Sequence, residues 1–185
     1  MKSTILTVLC LGFLLLAHKD SFAQNDYQKG SVIINPGVGF GYWDFYNSSG
    51  GFAIGINVNA EFSITDEIAV GPYFGFTTKS YAYGGIGLNG DYNATFIDFG
   101  ARGSYHFAKL LKVNNDKFDP YAGAFLGYSS GSDNADALYY SGVSSGVRGG
   151  VYAGARWYFS DKFAAFGEVG VGLYPVFLGV SFRIK

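Results

Sequence analysis

Apolar residues recur at every second position in eight separate segments of this chain, and no other feature narrows the possible folds so far. In "GFAIGINVNAEFS", Phe52, Ile54, Ile56, Val58, Ala60 and Phe62 form one face, while Ala53, Gly55, Asn57, Asn59, Glu61 and Ser63 form the other. In "IAVGPYFGFTTK", Ile68, Val70, Pro72, Phe74 and Phe76 oppose Ala69, Gly71, Tyr73, Gly75 and Lys79. A two-residue period is that of a strand, whose successive side chains point to opposite sides. "NATFIDFGARGSYHF", "GVRGGVYAGARWYF" and "FAAFGEVGVGLY" repeat it. Stretches near 31–43 and 177–184 fit as well, and one near 120–130 alternates without showing which face is which.

The connections alternate in length. "TDE" at 65–67 and "SDK" at 160–162 are tight, whereas "KSYAYGGIGLNGDY" and "SGSDNADALYYSGVSS" are long, polar and rich in glycine. Two connections break the pattern: "AKLLKVNNDKF" is long on the short side and "YPV" is short on the long side. One end of the sheet is therefore trimmed and the other decorated. The 28 glycines are about twice the usual share, and they interleave with Tyr, Phe and Val as they would in strands rather than in a linker.

Lys2, the apolar run "TILTVLCLGFLLLA" and "HKDSFA" have the layout of a secretory leader, and the run is too short for a transmembrane helix, which takes about 20 residues. Residues 1–23 are expected to be removed and 24–185 to form a single domain. Cys10 falls within the leader between bulky leucines, so it does not read as a lipid-attachment site, and the exported part has no cysteine. That part carries 11 basic and 13 acidic residues, a balance that attracts no nucleic acid.

An even number of strands of about nine or more residues, tight turns at one end, long loops at the other and export together predict an all-β fold: an eight-stranded antiparallel up-and-down transmembrane β-barrel. Tyr42, Tyr105, Phe107, Trp157, Phe159 and Phe163 lie at strand ends, where interfacial aromatic girdles are expected. A soluble sandwich or lipocalin-like barrel would turn the apolar face inward and leave a face of Gly, Asn, Arg and Glu to meet water, which fits poorly with a chain only 15% charged.

From "GFAIGINVNAEFSITDEIAVGPYFGF" to "GARWYFSDKFAAFGEVGVGLYPVFLGVSFRIK" the chain resembles the small outer-membrane β-barrel proteins of the OmpA/OmpX-like porin family. The closing "LGVSFRI" is similar to the C-terminal signal by which such barrels are recognised for insertion, with Gly179, Phe182 and Ile184 at the matching places; the family usually closes on an aromatic residue and this chain on Lys185. The resemblance implies an integral outer-membrane location with termini in the periplasm. It also implies outer-membrane lipid and lipopolysaccharide as surroundings, and the barrel-assembly machinery as a partner during insertion. It specifies no activity.

With the apolar face toward lipid, Glu61, Asp98, Arg102, Arg148, Arg156, Glu168 and Arg183 point into the bore by parity. Pairing Phe159 with Phe163 across a three-residue turn sets Arg156 opposite Phe166 and diagonal to Glu168. Pairing Tyr174 with Phe177 sets Glu168 opposite Arg183. One carboxylate would then stand between two guanidiniums. Eight strands enclose a space just wide enough for side chains, so these charges are expected to plug the lumen.

Other chemistry is weak. "GIGLNG" at 85–90 matches a nucleotide-loop spacing, but no helix follows it. Asp133 and Asp136 lack the rest of a calcium ligand set. Lipid hydrolysis would call for a His with a Ser or carboxylate partner at the outer leaflet, whereas His106 is expected near the trimmed end of the fourth strand. Lys109, Lys112 and Lys117 read as a solvated turn rather than a polymer-binding site. The glycines at 37, 39, 41, 167, 170 and 172 read as small residues admitting large neighbours in the bore. No catalytic residue, metal or cofactor is assigned. The expected function is non-enzymatic: a plugged barrel supporting the envelope, with loops 81–92 and 131–145 free to bind an extracellular ligand or another cell. The alternative is a narrow porin-like channel for small solutes.

Overall fold

The computed structural model describes residues 28–43, 53–85, 88–133 and 143–185. Eight strands run β1 (Val32–Phe40), β2 (Ala53–Ser63), β3 (Ile68–Gly85), β4 (Leu88–His106), β5 (Phe118–Asp133), β6 (Gly146–Ser160), β7 (Phe163–Val171) and β8 (Val176–Arg183). Every strand pairs antiparallel with its neighbours in sequence, and β1 pairs with β8, so the sheet closes. Closure leaves no edge of unpaired N–H and C=O groups, the one arrangement of strands that hydrocarbon tolerates.

The two faces divide as the alternation requires. Ile54, Ile56, Val58, Phe74, Phe76, Leu126, Val151, Val169 and Leu178 stand exposed on the outside. Asn57, Asn59, Glu61, Arg102, Arg156 and Glu168 are buried within. This inversion of a water-soluble protein identifies the solvent of the outer wall as lipid. At the trimmed end Tyr105 packs on Phe107, Phe118 on Trp157, Phe159 on Phe163 and Phe163 on Phe182, which makes an aromatic belt. Tyr42 does not join a girdle: it is 7% exposed, stacked on Phe96 inside the bore.

Three connections differ from the sequence reading. The β6–β7 turn has two residues, Asp161 and Lys162, rather than three, and a register shift between Tyr158 and Ser160 makes up the difference. That bulge keeps Arg156 opposite Phe166 with both faces in phase. The β7–β8 register departs further: Glu168 faces Phe177, not Arg183, because the turn is not a tight reversal at Pro175. The chain instead passes through Gly172 at φ +106° and folds Leu173 and Tyr174 into the bore. Finally, most of 81–92 is strand rather than loop, since Tyr81 pairs with Tyr92 and Gly85 with Leu88. The segment 134–142, the greater part of the other expected loop, lies outside the described residues.

Gly39 and Gly37 explain why β1 accepts these inward rings. A Cβ on Gly39 would overlap the Tyr174 ring, and one on Gly37 would come within 2.7 Å of the Phe177 ring. Gly167 differs from both, facing outward beside Leu178. Gly39→Val should therefore destabilise the refolded barrel by about 1–3 kcal/mol, the usual cost of overpacking. Gly167→Ala should be nearly neutral when both are followed by urea unfolding in detergent micelles.

Candidate functional site

The bore is filled in three tiers, each built from inward positions on several strands. At the trimmed end Arg156 on β6 donates to Glu61 on β2 at 2.9 Å and lies 3.4 Å from Asp119 on β5. Asp119 in turn holds His106 on β4, with both carboxylate oxygens 2.9 Å from Nδ1. The Arg156 guanidinium also lies 4.9 Å from the centre of the Tyr121 ring, a cation–π contact. Arg183 sits at the edge of this tier against Tyr158, its nitrogen 3.4 Å from the phenol oxygen.

The middle tier is a second ion pair. Arg102 on β4 meets Glu168 on β7 at 2.6 Å, and the same carboxylate oxygen accepts from the Tyr121 hydroxyl at 2.9 Å. Tyr152 lies under the Arg102 guanidinium, 4.0 Å from ring centre to carbon. In the decorated half the filling becomes aromatic. Tyr42, Phe96, Phe166, Leu173, Tyr174 and Phe177 form one buried cluster. Its polar atoms are satisfied locally: the Tyr42 hydroxyl is 2.8 Å from both Asp98 and Ser129, and Tyr174 is 2.7 Å from Thr77. Arg148 closes the top by donating to the Trp43 carbonyl and lying 4.8 Å from the Tyr42 ring centre.

The seven charged residues singled out by parity all lie along the bore, yet they do not form one network. Glu61 and Arg156 meet, Arg102 and Glu168 meet, and Asp98 and Arg148 each take neutral partners. The expected Arg156–Glu168–Arg183 group does not exist, because Arg156 reaches across the lumen to β2 instead of along its own hairpin. Of the expected insertion signal, Phe182 and Ile184 are exposed on the outside, while Gly179 lies inside with the Phe166 ring 2.7 Å from where its Cβ would be.

Sequence reasoning missed Asp119, and it weighed His106 only by its distance from the outer leaflet. His106 does have a serine and a carboxylate partner: Ser104 lies 3.2 Å from Nε2 and Asp119 2.9 Å from Nδ1. The order resembles a hydrolytic triad. However, Ser104 is only 5% exposed and its backbone lies in paired ladder on both sides, opposite Ala69 and Gly123. Through Asp119, which also lies 3.4 Å from Arg156, the group is joined to the ion cluster. The signal for Asp119 was available, since a charged residue on β5 decides which of its faces looks inward.

Space is unevenly distributed along the axis. Beside Arg102, Tyr152 and Glu168 there is a cavity of about 40 Å³, enough for a few waters. At the trimmed end a polar vestibule of about 650 Å³ opens below His106 and Asp119, framed by the β4–β5 connection. Glu61 Oε1, Arg156 Nε, Ser63 Oγ and Ser181 Oγ are buried without a protein partner toward this end, and Asp98 Oδ2 is the counterpart in the decorated half.

No protein-family model matches the sequence, and no curated relative was found. Solved structures do match. The outer membrane protein OprG from Pseudomonas aeruginosa is 10% identical with a TM-score of 0.61, covering 88% of this chain and 100% of that one. Ail of Yersinia pestis, in a phospholipid nanodisc, is 17% identical at a TM-score of 0.47, covering 84% and 99%. The N-terminal β-barrel domain of Pseudomonas aeruginosa OprF is 19% identical at 0.43, covering 84% and 98%. At 10% identity the property shared with OprG is the fold, a small outer-membrane β-barrel.

A mutant cycle separates the observed pairs from the expected ones. Glu168→Ala leaves Arg102 buried without its carboxylate, which should cost about 3–5 kcal/mol, while replacing both by leucine should cost much less. The coupling energy measured in micelles should be large for Glu168 with Arg102 and for Glu61 with Arg156, and small for Glu168 with Arg156.

Proposed function

We propose that this protein is a non-enzymatic, integral outer-membrane barrel with a sealed lumen, whose work is done by the part that stands above the membrane. The observation that carries the reading is the aromatic cluster of Tyr42, Phe96, Phe166, Tyr174 and Phe177, stacked above two buried ion pairs. A solute would have to displace both. A strand needs about 9–11 residues to cross the bilayer. β3 and β4 have 18 and 19, and β5 and β6 have 16 and 15. The surplus gathers on one side of the barrel as a tall wall, described as far as Gly85 and Leu88 on one pair and Asp133 and Gly146 on the other.

In this reading the wall and its tips lie outside the cell and the termini in the periplasm, with lipopolysaccharide around the upper wall. The tips contact an extracellular ligand or a neighbouring surface, or stabilise the envelope. During biogenesis Gly179, Phe182 and Ile184 are read by the assembly machinery. The second reading is a narrow channel for small solutes. It is favoured by the vestibule and by the unpartnered polar atoms beneath the middle tier.

Planar-bilayer recording decides between them. Wild type should pass no steady current, and Tyr42→Ala with Tyr174→Ala should introduce one. A steady ohmic current through wild type would transfer the assignment to the channel. Orientation is tested separately: an epitope inserted at Asn134 should be reached by antibody on intact cells, and one at Asp161 should not. The reverse pattern would overturn the topology.

A further inference from the structure

Among the described residues the β4–β5 connection is the one long connection at the trimmed end, and it is built rather than slack. Leu111 N–H donates to the Phe107 carbonyl at 2.8 Å, Val113 to Ala108 at 2.9 Å and Phe118 to Asn115 at 3.0 Å, with Lys112 at φ +49° turning the chain back. The first of these bonds spans four residues, one helical turn. Phe107, Leu110 and Leu111 therefore sit at positions i, i+3 and i+4, on one side of it.

That side is apolar and uncovered. Leu110 and Leu111 are 65% and 62% exposed, and they do not line the vestibule, whereas Ala108, Val113, Asn114, Asn115 and Asp116 do. The connection thus has two faces, one polar toward the mouth and one apolar away from it. Phe107 ties the apolar face to the lipid surface, because its ring packs 5.0 Å from Tyr105, a member of the outward belt. Lys109, which meets Glu67 at 2.9 Å, anchors the turn to the β2–β3 turn, and Lys112 stands exposed beside the leucines.

We propose that this turn is a membrane foot: Leu110 and Leu111 enter the lipid leaflet at the trimmed end, and Lys112 meets the phosphates of anionic phospholipid headgroups. Continuity with the aromatic belt selects lipid over a protein partner. The charge supports the choice, since Lys109, Lys112 and Lys117 outnumber Asp116 along the segment. An apolar pair flanked by lysines is the composition that lies in an interface, with carbon buried and charge at headgroup level. The inference rests on the barrel being embedded in a membrane.

Nitroxide labels on Leu111→Cys and, separately, Asn115→Cys, each in a Cys10→Ser background, test it in vesicles of phosphatidylethanolamine and phosphatidylglycerol. A heat-dependent gel shift and retention in the vesicles first establish that each labelled barrel is folded and inserted; failure there counts against the barrel reading, not the foot. In inserted protein, the ratio of oxygen to nickel-chelate accessibility should be several-fold higher at 111 than at 115. Equal ratios would overturn the proposal. Adding Lys112→Glu should move the 111 label toward water in these vesicles and much less in phosphatidylcholine alone. An equal shift in both would remove the headgroup part.

Discussion

Hydrocarbon offers a backbone nothing to hydrogen-bond, and the rest of this structure follows from that. Each N–H and C=O must find its partner in a neighbouring strand, so the sheet closes between β1 and β8. Once it closes, alternation stops being a tendency and becomes a rule, because every inward residue has an outward neighbour facing lipid. The bulge between Tyr158 and Ser160 shows how strictly the rule applies. A two-residue turn with no bulge would have rotated either β6 or β7 by one residue and sent its valines and phenylalanines into the bore.

Closure of eight strands also fixes how much must be packed inside. Glycines on the inward face and rings opposite them share that space, as Gly39 does with Tyr174 and Gly37 with Phe177. The charged residues then find partners across the bore rather than along it. Arg156 and Glu61 come from strands four apart in the sheet order, and Arg102 and Glu168 from strands three apart. Such pairs bind opposite walls together. A buried pair adds little net stability over an apolar filling, yet either member alone is costly, so the pairs define one arrangement of the walls better than they strengthen it.

These facts separate what was legible in the sequence from what was not. Strand number, facing and closure follow from a period of two, which is local. The inward direction of Glu61, Arg102, Arg156 and Glu168 is equally local. Partner choice is not, since it depends on the tilt of the strands and on summed registers around the barrel. The β7–β8 turn is the plainest case. "YPV" suggested a tight reversal at Pro175, but Gly172 in a left-handed conformation and an opening beside Gly39 let Leu173 and Tyr174 turn inward, which shifts Glu168 from Arg183 to Phe177. The strand character of 81–92 was hidden for a different reason. Above the bilayer nothing demands an apolar outer face, so the alternation that marks a strand fades although the ladder continues.

That fading carries the last step. Within the membrane the outer face of every strand is dictated by lipid, and the inner face by the volume of the bore, which leaves almost no position free for recognition. Above it, among the described residues, β3 and β4 continue as a two-stranded ribbon held by its own ladder, Ser80 opposite Asn93 and Tyr81 opposite Tyr92. A ribbon of this kind is marginal alone. Here its base is fixed, since Thr77 bonds Tyr174 from β3, while Ala94 and Phe96 from β4 are buried in the aromatic cluster. The plug therefore has two consequences at once. It packs the bore, and it fixes the root of the emerging ribbon, so both depend on one packing arrangement and a change in Tyr42 or Tyr174 acts on both.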